Sequence, residues 1–444
     1  MNSRFSIGLL VLIWLLMLIG IYHLGYFAKR VDFNLLFPVF FGLFICLLLF
    51  KFLFKEFSWT WIFIGGIVLR LSLLMAIPFW SEDYVRFLWD GELVRMYFNP
   101  YLDLPTHFLQ TLGDAQNPYL ANLLDLMNSP NYFSVYPPLN QGIFYLAALG
   151  ADRNPWQGVI VIRILIVMSE IGVFFLLKKL FQAFSIPSNR LIFYWLNPLV
   201  ILELTGNLHF EGFVLLSLLL AVYLLWRSRL ASAGFFWGIA VGIKLLPLML
   251  VPAFLAFTKT RKSNGFWIAS FVAILISFAW LLIGDSWVNF LQSLKLYQGK
   301  FEFNASIYYL LREVGFWIKG YNTIATLSKI LSGITLISIL YFSWKRRPES
   351  IPELVDLWVL IYLIYLVLQP VVHPWYIIPA FGLSLMTTGR TFLVWTFAAI
   401  LSYQAYGNSN FEESAVLLIL EYGLLSTVIF SDYFLRKRNS ILQL

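Results

Sequence analysis

Apolar residues follow one another along this chain in blocks close to the length of a bilayer-spanning helix, about 20 residues. The blocks run from Ser6 to Phe27, Leu35 to Phe54 and Trp59 to Phe79. After a polar interruption from Trp80 to Pro155 they resume at Trp156 to Leu177, Leu191 to Leu204, Leu208 to Trp226 and Ala231 to Phe257. Further blocks are Phe266 to Ile283, Tyr321 to Trp344, Leu354 to Leu368, Trp375 to Met386, Phe392 to Tyr406 and Ala415 to Phe434. The first is too long for a secretory signal and lacks a small-residue cleavage pattern, so it reads as a retained span. Ala231 to Phe257 contains Lys244 and Pro247. A charge and a proline in mid-run predict two short helices meeting there, because proline breaks a helix unless its freed backbone groups find partners. The pattern predicts roughly thirteen or fourteen membrane segments.

Positive charge gives the blocks an orientation. Threading from a cytoplasmic N-terminus gathers Lys51/Lys55, Lys178/Lys179, Arg227/Arg229, Lys259/Arg261/Lys262, Lys345/Arg346/Arg347, Arg390 and Arg436/Lys437/Arg438 on one side. That is the cytoplasmic bias of lysine and arginine, and it holds only if the Lys244 region is a hairpin. The long interruption, and the shorter one from Gly284 to Gly320, then face away from the cytoplasm. Neither a repeat of fixed period nor a linker divides the chain. It reads as one domain over 1–444: three spans in 1–79, an extracytoplasmic loop carrying the chemistry in 80–155, and the other spans in 156–434.

Composition agrees. Of 444 residues, 60% are hydrophobic and 12% charged, whereas a soluble domain carries roughly 25% charged residues. A soluble enzyme and a disordered chain are both excluded. The net charge of +8 belongs to cytoplasmic loops and not to nucleic-acid binding. The single cysteine, Cys46, excludes an intrachain disulfide framework and a cysteine metal cluster.

Five polar clusters interrupt the apolar pattern. Ser81-Glu82-Asp83 opens a segment running on to Arg86 and Asp90. As a helix it is either a salt-bridged interfacial element capped by Ser81 or the holder of a carboxylate available as a general base. Tyr136-Pro137-Pro138-Leu139-Asn140-Gln141 reads as a helix start with proline in its first turn, or as the lining of a polar substrate site. In Gly206-Asn207-Leu208-His209-Phe210-Glu211-Gly212, His209 and Glu211 are either wetted loop residues or lie in a cavity between spans. Lys244 sits where a lysine costs about 2.5–3.5 kcal/mol on insertion scales, so it snorkels to the interface or meets an anion such as a phosphate. Gln369-Pro370-Val371-Val372-His373-Pro374-Trp375-Tyr376 is a broken junction whose freed backbone would line a cavity, or an aromatic belt. The charge-based threading puts all five at the non-cytoplasmic helix ends. Five unrelated local explanations do not account for that convergence.

The segment "FWSEDYVRFLWDGELVRMYFNPY", followed by "VYPPLNQ", resembles the first extracytoplasmic loop of bacterial polyprenyl-phosphate-dependent mannosyltransferases. These are GT-C integral-membrane glycosyltransferases, distantly like the GPI mannosyltransferases. The resemblance continues in order through "GNLHFEG", "GIAVGIKLLPLMLVP" and "HPWYIIP", covering roughly Arg70 to Pro379. It implies an all-α polytopic membrane protein of GT-C type, and a donor sugar carried on polyprenyl phosphate. It implies a glycan, glycolipid or lipid acceptor, surrounding membrane lipids and no nucleic acid. The family's pattern at the loop start is commonly Ser-Asp-Asp, and here it is Ser81-Glu82-Asp83. Asp83 thus stands at the position usually assigned as catalytic, with Glu82 beside it. The GPI enzymes have Asp-x-Asp there; Ser81 replaces the first aspartate, which leaves the pair incomplete and a divalent metal an open question.

The expected reaction moves a hexose, mannose by resemblance, from a polyprenyl-phosphate donor to an acceptor outside a bacterial cytoplasmic membrane. Asp83 would serve as general base. Lys244, with His209 or His373, would stabilise the leaving phosphate. Asp90, Tyr136, Glu211, Trp375 and Tyr376 complete the expected substrate-binding set. The rival class is a transporter or flippase for a polyprenyl-linked sugar, which shares broken helices and charge in the membrane. The loop bearing Asp83 favours the enzyme. Asn304-Ala305-Ser306 also forms a glycosylation sequon.

Overall fold

The computed structural model describes residues 3–53, 58–113, 117–259, 263–408 and 410–441. Helices α1 (Ser3–Tyr26) and α2 (Phe33–Leu53) pack side by side. Helix α3 (Trp59–Leu71) is shorter than its apolar block, because the chain turns over residues 72–75 and runs extended through Pro78. Its last turn carries Arg70, fully buried, held by Glu170 at 2.6 Å and by the carbonyl of Trp195 at 2.9 Å. A buried guanidinium needs such partners, since an unpaired charge there is strongly unfavourable.

The polar stretch after α3 is itself helical: α4 (Asp83–Arg95), α5 (Pro105–Leu112), α6 (Pro118–Leu126) and α7 (Pro138–Ala151). The last three each begin with proline, whose missing N–H costs nothing in a first turn. Helices α4 and α7 cross so closely that a Cβ on Gly91 would lie 2.1 Å from the Phe144 carbonyl oxygen. Helix α8 (Pro155–Ala183) returns through the apolar layer, its start capped by the Asn154 side chain, which accepts the Trp156 N–H at 3.0 Å.

Helices α9 (Leu191–Trp195) and α10 (Pro198–Val200) run into a π-helical turn, Ile201–Gly206. The chain then bends by 112° into α11 (Glu211–Trp226). Helix α12 (Leu230–Ile243) stops at Lys244, and a 3-10 turn over Leu246–Leu250 leads into α13 (Val251–Thr258), forming the hairpin that the charge and proline predict. Gly234, Gly238 and Gly242 on α12 let α14 (Asn264–Phe278) approach closely, for a Cβ on Gly238 would stand 2.7 Å from that of Ala273. In lipid, small residues at such spacing replace the hydrophobic effect as the basis of helix association.

The chain continues through α15 (Ser286–Lys300), α16 (Ile307–Lys319), α17 (Ile324–Arg346) and α18 (Ile351–Leu368). After it come a 3-10 turn Pro374–Ile377, α19 (Ile378–Ser384) and α20 (Thr391–Ala398). A second 3-10 stretch, Ala399–Gly407, precedes α21 (Ala415–Ile441). Among the described residues β pairing is confined to one parallel bridge between Phe303 and Val371. The protein is an all-α polytopic membrane protein. Among the described residues seven helices are long and apolar enough to cross a membrane, and an eighth span results if the bent pair around Asn207 counts as one. The other apolar blocks are occupied by helices shortened or broken at Pro198, Pro247, Pro374 and their neighbours, which is why a count of blocks exceeds a count of long helices.

Candidate active site

Two groups of polar side chains meet at the breaks in these helices. The first forms at the start of α4. Ser81 Oγ accepts the Asp83 N–H at 3.3 Å, closing the first turn. Glu82 points to Arg30, in the loop between α1 and α2, at 2.6 Å, with its side chain 46% exposed. Asp83 is half-buried and hydrogen-bonded by Asn128 and Tyr136, with the Arg30 charge nearby. Burial raises its pKa above the ordinary aspartate value; Asn128, Arg30 and Tyr136 oppose that rise, and the Glu82 charge adds to it.

Asp90, two turns on, has a different setting. It is fully buried and receives Arg86 Nε at 2.7 Å, Ser134 Oγ at 2.5 Å and Gln141 Nε2 at 2.9 Å. Arg86 also donates to the Tyr132 carbonyl at 2.8 Å. This network fixes α4 against α7 and the loop between α6 and α7. Phe87 lies flat on Phe144 at 4.7 Å and meets Tyr136 and Phe210 edge-on at 4.9 and 5.2 Å.

The second group is built by three breaks. At the bend before α11, Arg163 of α8 donates to the carbonyls of Thr205 at 2.7 Å and Gly206 at 3.1 Å, supplying the partners that the end of the π turn lacks. Both His209 and Glu211 are buried there. At the α12 break Lys244 bonds Glu211 and lies over the Tyr376 ring, 4.0 Å from its centroid. At the third break Trp375 is sandwiched between two imidazoles, His209 at 3.7 Å and His373 at 4.4 Å, all three rings nearly parallel. His209, Glu211, Lys244, His373, Trp375 and Tyr376 are thus brought together. Asp83 and Tyr136 touch each other, Glu82 sits beside them turned toward Arg30, and Asp90 is enclosed in the scaffold.

The two groups adjoin. The Arg30 guanidinium stands over Tyr406 at 4.6 Å; Tyr406 packs on Phe303 at 5.5 Å, and Phe303 on His373 at 4.9 Å. Asn140 of α7 donates to the Ile243 carbonyl at 2.9 Å, tying the loop helices to the Lys244 break. The chemistry available is a carboxylate with a raised pKa, an ammonium beside two imidazoles, and an aromatic wall. Among the described residues no three His, Cys, Asp or Glu side chains form a metal-binding group.

Sequence reasoning missed Arg30, Asn128 and Glu203. Glu203 is fully buried in the π turn, receives Tyr403 Oη at 2.6 Å and Asn207 Nδ2 at 3.2 Å, and lies 3.5 Å from His209 Nε2. A carboxylate within an apolar block was a signal that could have found it. Arg30, in a short polar loop, offered none.

Fold and site together define a multi-pass membrane protein whose polar centre is walled by broken helices. Residues 27–260, just over half of the chain, match the family described as alpha-(1->6)-mannopyranosyltransferase, N-terminal domain. The chain belongs to that family, a GT-C-type mannosyltransferase family, and is a membrane glycosyltransferase of the mannosyltransferase kind. No curated protein matches it.

Proposed function

We propose that the protein transfers mannose from a polyprenyl-phosphate donor to a hydroxyl of a glycan, glycolipid or lipid acceptor, at the extracytoplasmic face of a bacterial cytoplasmic membrane. The family description suggests an α-(1→6) linkage. The observation that supports this reading is that the group around Asp83 at the start of α4 adjoins the group around Lys244 and Glu211, through Arg30, Tyr406, Phe303 and His373 and through the Asn140–Ile243 hydrogen bond. Asp83 takes the proton of the acceptor hydroxyl. The acceptor oxygen forms a bond to the anomeric carbon while the bond from that carbon to phosphate oxygen breaks, and polyprenyl phosphate leaves with its electron pair. One positioned carboxylate suits a single inverting displacement. Lys244, oriented by Glu211, meets the developing phosphate charge, with His209 and His373 beside it. Tyr376 and Tyr136 supply aromatic surface for the sugar, while Trp375, its faces covered by His209 and His373, offers its edge. Glu82 sets the electrostatics of Asp83 and Asp90 anchors its helix. The whole chain acts as one catalytic unit, with the loop 80–155 contributing the base.

The test is direct. Purified protein incubated with a synthetic polyprenyl-phosphate mannose and a mannoside acceptor should release polyprenyl phosphate in proportion to acceptor mannosylation. Acceptor mannosylation from a nucleotide sugar but not from the lipid donor would overturn the donor assignment.

A further inference from the structure

A second polar pocket lies behind the outer rim of this site, between the start of α21 and the segment after α15. Asn304, Ser402, Gln404, Glu413 and Glu421 contribute to its wall, and it has room for about one water-sized particle. Glu421 is 1% exposed and Asn304 fully buried. Glu421 Oε1 accepts from Trp395 Nε1 at 2.9 Å and Asn304 Nδ2 at 3.1 Å. Its other oxygen, Oε2, has no hydrogen-bond partner, and neither has Asn304 Oδ1. Glu413 accepts the Asn304 N–H at 2.7 Å and the Tyr309 hydroxyl. Gln404 Oε1 accepts the Ser414 N–H at 2.9 Å, and Ser402 donates its hydroxyl to the Ala399 carbonyl, so both oxygens keep lone pairs.

Among the described residues neither Glu413 nor Glu421 is in an ion pair. Arg312, the cation on that side, is engaged by Glu302 at 2.6 Å and Glu313 at 2.9 Å. Glu421, enclosed without a counter-charge, and half-buried Glu413 beside it, which feels only the already engaged Arg312, are unfavourable as anions unless something neutralises them. The wall offers only oxygens, which suits a hard cation and excludes a thiolate- or imidazole-seeking one. Two carboxylates favour a divalent ion over a monovalent one. Magnesium keeps several waters in an octahedral shell, for which a pocket of this size has no room, whereas calcium accepts an irregular set of protein oxygens.

We propose that this pocket is a calcium site, with Glu421 Oε2 and Asn304 Oδ1 as its principal ligands and Gln404, Ser402 and Glu413 completing the shell. The burial of Asn304 also makes its sequon unavailable to a glycosylating enzyme. The ion has a structural consequence for the outer rim. Phe303, adjacent to Asn304, donates to the Pro370 carbonyl at 2.9 Å and accepts from the Val372 N–H at 2.8 Å, next to His373. Calcium therefore pins the segment that bears His373. The assignment does not depend on the identity of the transferred sugar or on the role of Asp83.

Equilibrium calcium binding and thermal unfolding of the full chain in detergent test it. Wild type should bind one calcium saturably, with a melting temperature that rises with free calcium and falls in EGTA; magnesium and sodium should not substitute. Glu421→Gln should weaken binding on the order of tenfold or more, while Asp103→Asn, a carboxylate paired with exposed His107 and outside the pocket, should leave it unchanged. Absence of saturable calcium binding to wild type at millimolar free ion overturns the proposal, whether or not the variants fold. So does equal stabilisation by magnesium or sodium. Glu421→Gln matching wild type in calcium response also overturns it, and would identify Glu421 as a protonated acid bonded within the pocket.

Discussion

At the scale of single residues, α4 holds carboxylates with different work to do. Asp83 faces Asn128 and Tyr136 with a raised pKa, while Asp90 is consumed by Arg86, Ser134 and Gln141. If Asp83 is the base, Asp83→Asn keeps its shape but accepts no proton, and turnover should fall by about 10²–10⁴ with membrane insertion intact. A base must be ionised to act, so kcat/KM should rise with pH through the pKa of Asp83, at a pH above the ordinary aspartate range. Arg30 lowers that pKa and Glu82 raises it. Arg30→Gln should therefore move the acid limb to higher pH, and Glu82→Gln should move it to lower pH; a profile unmoved in both variants would remove Asp83 from the limb. Lys244 makes a separate prediction. Lys244→Met should raise the KM for the lipid donor about ten- to a hundredfold, the worth of one lost charge-assisted hydrogen bond. Unchanged donor kinetics at normal abundance would return this lysine to a role in pairing with Glu211 alone. His209, Lys244 and His373 stand out in the chain because each breaks an apolar pattern, and Asp83 because Ser81-Glu82-Asp83 resembles a family motif. Arg30 and Asn128 do not, since polar residues in polar loops carry no contrast, and their importance arises only from tertiary contact.

At the scale of elements, the breaks were legible and the lengths were not. Pro247 beside Lys244 marks the end of α12, and Pro374 beside His373 marks the start of a new helical turn. The π turn of Ile201–Gly206 had no such mark, because its bend follows from Arg163 and Glu203 satisfying groups far away in sequence. Helices inside the loop 80–155 were anticipated only at α4 and α7; α5 and α6 are too short and too mixed in composition to show a period. The close α12–α14 crossing depends on glycines and gives a sharp test. Gly238→Val would drive side-chain carbons into Ala273 Cβ and the Ser270 carbonyl, where even a Cβ would stand at 2.7 and 2.8 Å. Overpacking of this kind costs about 1–3 kcal/mol, so the variant should melt lower in detergent. An unaltered melting curve would show that α14 moves away freely.

For the whole molecule, the arrangement of charge predicts which end faces outward. In a Cys46→Ala background, a cysteine at Lys319, at the exposed end of α16, should react with an impermeant thiol reagent on intact cells. A cysteine at Ser228, exposed between α11 and α12, should react only after lysis. The reverse pattern would invert the protein and place mannosyl transfer on the cytoplasmic side. The membrane class and the grouping of His209, Lys244 and His373 followed from hydropathy and charge because lipid penalises every exception. The pocket around Asn304 and Glu421 escaped notice because these two residues are more than a hundred positions apart, and the sequon at Asn304 points to a sugar and not to a buried pocket.

The loop between α6 and α7 reaches α4 at two places: Asn128 bonds Asp83, while Ser134 bonds Asp90. One strip of backbone therefore carries both the partner that sets an acid's strength and the rivet that holds its helix in place. Any ligand or substitution that slides this strip along α4 changes the proton affinity at Asp83 without touching it. Proton affinity here is a mechanical variable, adjusted as a string is tuned, from a point away from where it sounds.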